Sequence, residues 1–159
     1  MIALLSPAKT VRSLEQSPII PSRPALLSRA DTLAEIMKEY SPWELESLLH
    51  VNPTLGFKAF EAYQSWNSQT PGTPAILAYN GLVYRHLAAE ELSAARLEET
   101  NQRLCLLSAL YGVLRPTDGI LPYRLEMNCP LKPDGFADLY DFWGDRLYRC
   151  IQEQDPVIN

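Results

Sequence analysis

Apolar residues fall along this chain in blocks whose spacing changes from one block to the next. Residues 2 to 5 form a continuous apolar run that stops at Ser6-Pro7, which reads as a short buried strand breaking into a loop. Pro18, Pro21 and Pro24 keep the following segment extended. From Ala25 to Tyr40, Leu26, Leu33, Ile36 and Met37 recur near helical spacing, so a helix is predicted there. Ser41-Pro42-Trp43-Glu44 places a capping serine, a proline at the first helical position and a glutamate three residues after the cap. A second helix therefore starts at Ser41 and runs to about His50. Asn52 to Gly56 is turn chemistry, and Phe60, Tyr63 and Trp66 then share a helical face, which predicts a helix, a tight turn and a helix over residues 41 to 67.

After the loop at Pro71 to Pro74, the apolar run Ala75 to Tyr79 is a strand candidate. Ser93 to Arg103 is a polar helix that feeds the apolar run Leu104 to Leu107. Leu139, Phe142, Trp143, Leu147, Cys150 and Ile151 form one helical stripe, with Asp145 and Arg149 four apart on its polar side. The alternation predicts an α/β, or mixed α+β, fold: a short central sheet flanked by helices, with strands near residues 2 to 5, 75 to 79, 104 to 107 and 156 to 159. Val157-Ile158 looks like the start of a buried strand with nothing after it to turn the chain. Residues 1 to 159 are thus expected to be a single domain cut short, with apolar surface available for self-association.

Composition narrows the function classes. No apolar run approaches the roughly 20 residues of a membrane helix, and the opening run meets Pro7 too soon for a signal-peptide core, so a cytoplasmic address and no membrane partner are expected. Cys105, Cys129 and Cys150 are widely spaced and odd in number, which fits neither a disulfide framework nor paired metal ligands. With only His50 and His86 besides, no metal and no cofactor are expected. Cys129, beside Pro130 in a loop, is the one candidate for a reactive thiol. The net charge of -5 is uneven. Residues 1 to 30 carry Lys9, Arg12, Arg23 and Arg29 against Glu15, a net of 4 - 1 = +3, while residues 31 to 102 carry 4 basic and 10 acidic side chains, a net of -6. An anion site should involve the N-terminal stretch.

Two constellations carry candidate chemistry. Ser6-Pro7-Ala8-Lys9 has the Ser-x-x-Lys spacing of acylating serine enzymes but lacks their other two motifs, so Ser6, Lys9 and Thr10 read better as hydroxyls and a cation at a strand end, where α/β sheets bind anions. LSALYGVLRP at 107 to 116 and the following Tyr123, Arg124 and Glu126 place polar groups on tight loops, and Asp145 in WGD can join them. Together Ser6, Lys9, Thr10, Arg115, Tyr123, Arg124, Glu126 and Asp145 define a candidate anion cleft, and the enzyme reading is a reaction on a nucleotide-like or other anionic small molecule held there. The second constellation is NPTLGFK at 52 to 58, a partial match to the helix-hairpin-helix pattern in which hairpin amides hold a backbone phosphate. Pro53, Leu55, Gly56 and Lys58 match it. Residues 41 to 67 nevertheless carry Glu44, Glu46 and Glu61 against Lys58, a net of 1 - 3 = -2, where DNA favours positive charge.

SPAKT at 6 to 10, LSALYGVLRP at 107 to 116, PYRLEM at 122 to 127 and LYDFWGD at 139 to 145 resemble, in order and spacing, the YaaA family of bacterial peroxide-stress proteins. The resemblance runs the whole chain and covers the N-terminal part of the family, whose lysine-rich remainder would follow. It implies a cytoplasmic mixed α/β protein that protects against hydrogen peroxide, limits free intracellular iron and binds DNA through a helix-hairpin-helix and a basic cleft. It implies no reaction mechanism. Leu82, in YNGLVY, stands where an acidic residue is expected from the family. With this chain's acidic middle, DNA binding is expected to be weak and non-specific.

Overall fold

The computed structural model describes residues 2 to 152 and 157 to 158. Strand β1 (Ile2–Leu5) is the hub of a four-stranded sheet. It pairs in parallel with β3 (Leu104–Ser108), which turns back antiparallel into β4 (Gly112–Leu114). On its other side it pairs in parallel with β6 (Val157–Ile158), giving the order β4-β3-β1-β6. Residues 157 and 158 thus form the predicted last strand, while residues 156 and 159 lie outside the described residues.

Helices α1 (Leu27–Lys38), α2 (Pro42–Leu49) and α3 (Pro53–Gln64) follow the proline-rich segment. The start of α2 is fixed locally: the Ser41 amide and hydroxyl both donate to Glu44 Oε2, at 2.8 and 2.6 Å, which satisfies a donor that the first turn of a helix cannot pair itself. The Asn52 side chain caps α3 by accepting from the Leu55 amide at 2.9 Å. The predicted turn therefore ends earlier than the sequence suggests: Pro53 to Lys58 are the first turns of α3, and the connection shrinks to His50, Val51 and Asn52.

A second correction concerns residues 75 to 79. The chain forms a two-residue strand β2 (Thr73–Pro74), then one helical turn, α4 (Ala75–Ala78), rather than the predicted strand. The Ala75 and Ile76 amides pair with the carbonyls of Asp118 and Pro116, so the loop at 116 to 118 caps the turn while all four side chains are buried. Burial on every side explains why the run is apolar throughout, and such a run does not distinguish strand from helix. Helices α5 (Leu82–Leu87) and α6 (Ala94–Arg103) follow, and β5 (Gly119–Ile120) pairs antiparallel with β2.

The predicted stripe at 139 to 151 divides into α7 (Leu139–Trp143) and α8 (Arg146–Gln152). Gly144 breaks it with φ 52, a left-handed conformation that a side chain would strain. Trp143 is fully buried, and its Nε1 donates to the Ala109 carbonyl at 2.9 Å, tying α7 to the end of β3. Truncating an aromatic residue in such a position typically costs about 3–5 kcal/mol.

Candidate functional site

Register places the site. Leu5 of β1 lies opposite Leu106 of β3, and the two parallel strands send the chain off the same edge of the sheet, into Ser6 to Lys9 and into Ala109 to Tyr111. In open α/β sheets this edge is where ligands bind. It holds a cleft of about 490 Å³, within the usual range for small-molecule sites, whose polar lining is Ser6, Lys9, Ser108, Tyr123, Arg124 and Glu126. The walls are apolar, from Leu107, Leu125, Met127, Tyr140 and Leu147.

Lys9 Nζ lies 3.3 Å from Glu126 Oε1 across the mouth, and both side chains are well exposed, so the pair is weak and opens readily. Arg124 lines the same cleft and has no ion-pair partner among the described residues. Its position is set through its backbone, because Tyr63 Oη of α3 donates to the Arg124 carbonyl at 2.8 Å. A neighbouring hollow of about 310 Å³ shares Lys9, Arg124 and Glu126 and extends to His50 and Cys129 at the end of α2.

Beneath the cleft lies a row of hydroxyls. Tyr79 Oη is 2.7 Å from Tyr123 Oη, which is 2.7 Å from Ser108 Oγ. The Tyr111 amide donates to the same Ser108 oxygen at 2.9 Å, and Tyr84 Oη donates to the Ser6 carbonyl at 2.7 Å. Burial raises the pKa of Tyr79 and Tyr123, so both phenols stay protonated and act as neutral hydrogen-bonding groups at any physiological pH.

Of the residues predicted for the anion cleft, the structure brings together Ser6, Lys9, Tyr123, Arg124 and Glu126. Thr10, Arg115 and Asp145 are not part of its lining. The Thr10 carbonyl accepts from the Asn80 amide at 2.9 Å, on the side of α5. Arg115 grips Asp118 through Nη2 and Nε at 3.0 and 3.3 Å, and lines a different hollow with Ile19, Leu97 and Asn101. Asp118 is 1% exposed and also accepts from the Arg115 amide and the Ser22 hydroxyl, so this arginine is held by a satisfied buried carboxylate. Asp145 pairs with Arg149 at 2.8 Å along α8, as their spacing predicts. Sequence reading missed Ser108 and Tyr79. The available signal was a serine closing an otherwise apolar strand, LCLLS.

The other candidate residues sit on the α2–α3 hairpin. Gly56 is buried, and a Cβ there would lie 3.0 Å from the Pro42 carbonyl and 3.1 Å from Glu46 Cβ, so the glycine permits close helix packing. Its amide donates to the Asn52 carbonyl and the Leu55 amide to the Asn52 side chain, which leaves few free amides for a phosphate. Pro53 and Lys58 are exposed, and Lys58 has no ion-pair partner among the described residues. The basic N-terminal stretch is largely engaged: Arg12 binds Glu90 and the Leu77 carbonyl, and Arg29 donates to the Phe142 carbonyl at 2.6 Å with its guanidinium 4.2 Å from that ring's centre. Cys129 is buried, its thiol pKa is raised by burial and its Sγ donates to the Leu48 carbonyl, the opposite of an exposed, activated thiol.

No helix among the described residues is long and apolar enough to cross a membrane, and no group of three or more His, Cys, Asp and Glu among them is placed to hold a metal ion. These features define a mixed α/β protein with a ligand-sized crevice at the ends of its parallel strands. The sequence model of the family described as peroxide stress protein YaaA matches residues 1–159, and the chain belongs to that family. It is 38% identical over 154 residues to a UPF0246 protein of Clostridium perfringens, covering 95% of this chain and 61% of that protein. It is 41% identical over 168 residues to a UPF0246 protein of Tolumonas auensis, covering 99% and 64%. A relative from Lachnoclostridium phytofermentans is 36% identical over 159 residues, covering 99% and 62%. The chain thus spans about three fifths of the length of the curated relatives it matches.

Proposed function

We propose that this protein contributes to peroxide-stress protection by binding an anionic small molecule in the cleft at the ends of β1 and β3. The observation that carries this reading is the convergence of Arg124, without an ion-pair partner among the described residues, and Lys9, paired with an exposed glutamate, at the mouth of a crevice with largely apolar walls. Such a site favours a nucleotide-like or other ligand with one oxyanion and an apolar or aromatic body. Titration calorimetry with AMP and with 2-naphthoate tests it. Binding of either, weakened about tenfold or more by Arg124→Gln, supports the reading, since a hydrogen bond to a charged group is worth about 1.5–3 kcal/mol. No binding of either probe by folded protein overturns it, as does binding that ignores Arg124→Gln.

A second reading is weak, non-specific DNA binding, with limitation of free iron following from it or from the whole protein. It is favoured by the hollow that runs from Lys9 and Arg124 to His50, at the α2 end of the hairpin whose α3 start carries exposed Lys58. With about two to four phosphates neutralised, log affinity falls with log salt at a slope of about -2 to -4, and Lys58→Glu lowers both affinity and slope. Fluorescence anisotropy on duplex and branched DNA at low salt reads both. Absence of binding there removes this reading.

A further inference from the structure

Strand register assigns the side chains of the sheet to two faces. Leu4 of β1 lies opposite Cys105 of β3, and Leu107 of β3 lies opposite Val113 of β4. By the alternation along a strand, Ile2, Leu4, Cys105, Leu107 and Val113 share one face, while Leu106 and Ser108 point to the other. Helix α8 begins at the cleft edge of the sheet, where Leu147 lies against Gly112, and leads to β6, which runs parallel to β1 and so starts at the opposite edge. It therefore runs antiparallel to β3. Leu147 of α8 and Leu107 of β3 line the same cleft. Three residues onward in a helix is about 4.5 Å, and two residues back along a strand is about 6.6 Å, so Cys150 and Cys105 come to nearly the same level on adjacent elements. Their chemistry agrees with this placement: the thiol pKa of Cys105 is raised first by burial and then by charge on Cys150, with Asp118 adding to it. Cys105 is partly buried, whereas Cys150 stands at the exposed edge of the α8 stripe.

We propose that Cys105 and Cys150 are a peroxide-sensitive thiol pair, which hydrogen peroxide converts into an intramolecular disulfide fastening α8 to β3. This goes beyond the cleft reading and does not depend on it. Exposure makes Cys150 the thiol that meets the oxidant. Its thiolate sulfur attacks one peroxide oxygen, the O–O bond breaks, and the departing hydroxide takes up the proton that the thiol gave, leaving a sulfenic acid and one water. The Cys105 sulfur then attacks the Cys150 sulfur and displaces hydroxide, which leaves with the Cys105 proton as a second water. Two thiols are thus oxidised by two electrons, and one peroxide is reduced to two waters. Burial keeps Cys105 protonated and so makes it the slower, resolving partner. The bond needs the two Cα atoms within roughly 4.4–6.8 Å, and α8, a helix of 7 residues joined to α7 through Gly144, is short enough to settle onto the strand.

The test treats the folded chain, checked by circular dichroism, with hydrogen peroxide, blocks the remaining thiols with iodoacetamide and reads the non-reduced tryptic peptides by mass spectrometry. The expected product is a monomer in which the peptide holding Cys105 is joined to the peptide holding Cys150, with the thiol count falling from three to one. Dithiothreitol restores all three. Cys129→Ser keeps the link, and in Cys150→Ser the Cys105 thiol survives the same treatment, because the group that meets peroxide is gone. The proposal is overturned if the folded chain yields no peptide linking Cys105 to Cys150. A link to Cys129 in its place, or a disulfide dimer through Cys150, overturns it equally. So does a Cys105 thiol lost as fast in Cys150→Ser as in the unaltered chain.

Discussion

In the α2–α3 hairpin the donors of the caps and the turn are paired locally. The Ser41 amide and hydroxyl go to Glu44, the Leu55 and Gly56 amides go to Asn52, and Gly56 itself is buried against α2. At the cleft the arrangement is reversed: Arg124 is unpaired among the described residues, Lys9 is loosely held, and Ser108 and Tyr123 of the hydroxyl row line the open space. Both regions combine tight backbone with a nearby cation, so they look equally suited to an anion in the sequence. The difference lies in whether the donors remain available after the local structure has formed. A turn that satisfies itself is a packing device, whereas a turn that leaves donors open is a site.

The strongest way to press this contrast is Gly56→Val, which forces a branched side chain into the α2–α3 contact. Urea unfolding is expected to show about 2–3 kcal/mol of destabilisation, with 2-naphthoate affinity retained by the protein that stays folded. Loss of affinity in the folded fraction would show that the hairpin is part of the site. Tyr63→Phe probes a bond that links the two regions, Tyr63 Oη to the Arg124 carbonyl. It is expected to cost about 1 kcal/mol of stability and to weaken 2-naphthoate about two- to threefold, because Arg124 loses its backbone anchor. Equal affinity in mutant and parent would make the regions independent.

Glu126→Gln sharpens the cleft side. Removing the carboxylate that competes for Lys9 is expected to raise oxyanion affinity about two- to fivefold, a gain that shrinks with added salt. The smallest effect belongs to Glu44, whose carboxyl the Ser41 hydroxyl and then the Ser41 amide hold below its ordinary value of 4.5. A carboxylate depressed in the folded state contributes stability that is complete above the unfolded pKa and is lost as pH falls through the lower folded pKa. Acid titration followed by circular dichroism is therefore expected to show a small loss of stability below about pH 4.5 that is absent in Glu44→Gln.

Much of the helical layer was legible because its signals are local. The serine, proline and glutamate of the α2 cap act within one turn, and the Asp145–Arg149 spacing acts within one helix. The run at 75 to 79 was not legible, since its conformation is decided by carbonyls of residues 116 and 118. The break at Gly144 was hidden for a related reason: the apolar stripe continues across it, because α7 and α8 both face the core. At the cleft, Ser6, Lys9, Tyr123, Arg124 and Glu126 could be read as polar residues on loops that follow strands. Arg115 shares that description but is drawn away by Asp118 three residues on, and the sequence does not show which carboxylate is buried. Ser108 escaped notice because a single hydroxyl at the end of an apolar strand acquires meaning only from Tyr79 and Tyr123, distant in sequence.

The central position of β1 bears on how the chain is made. Residues 2 to 5 leave the ribosome well before either of their partners, β3 at Leu104 and β6 at Val157. Until then an apolar strand with both edges bare must wait while α1, α2 and α3, whose contacts are close in sequence, can already assemble. Synthesis thus delivers a helical half first and closes the sheet last. The cleft, which needs β1 and β3 side by side, is born only at that late step, and the nascent chain carries a sticky strand that chaperones are well suited to shield.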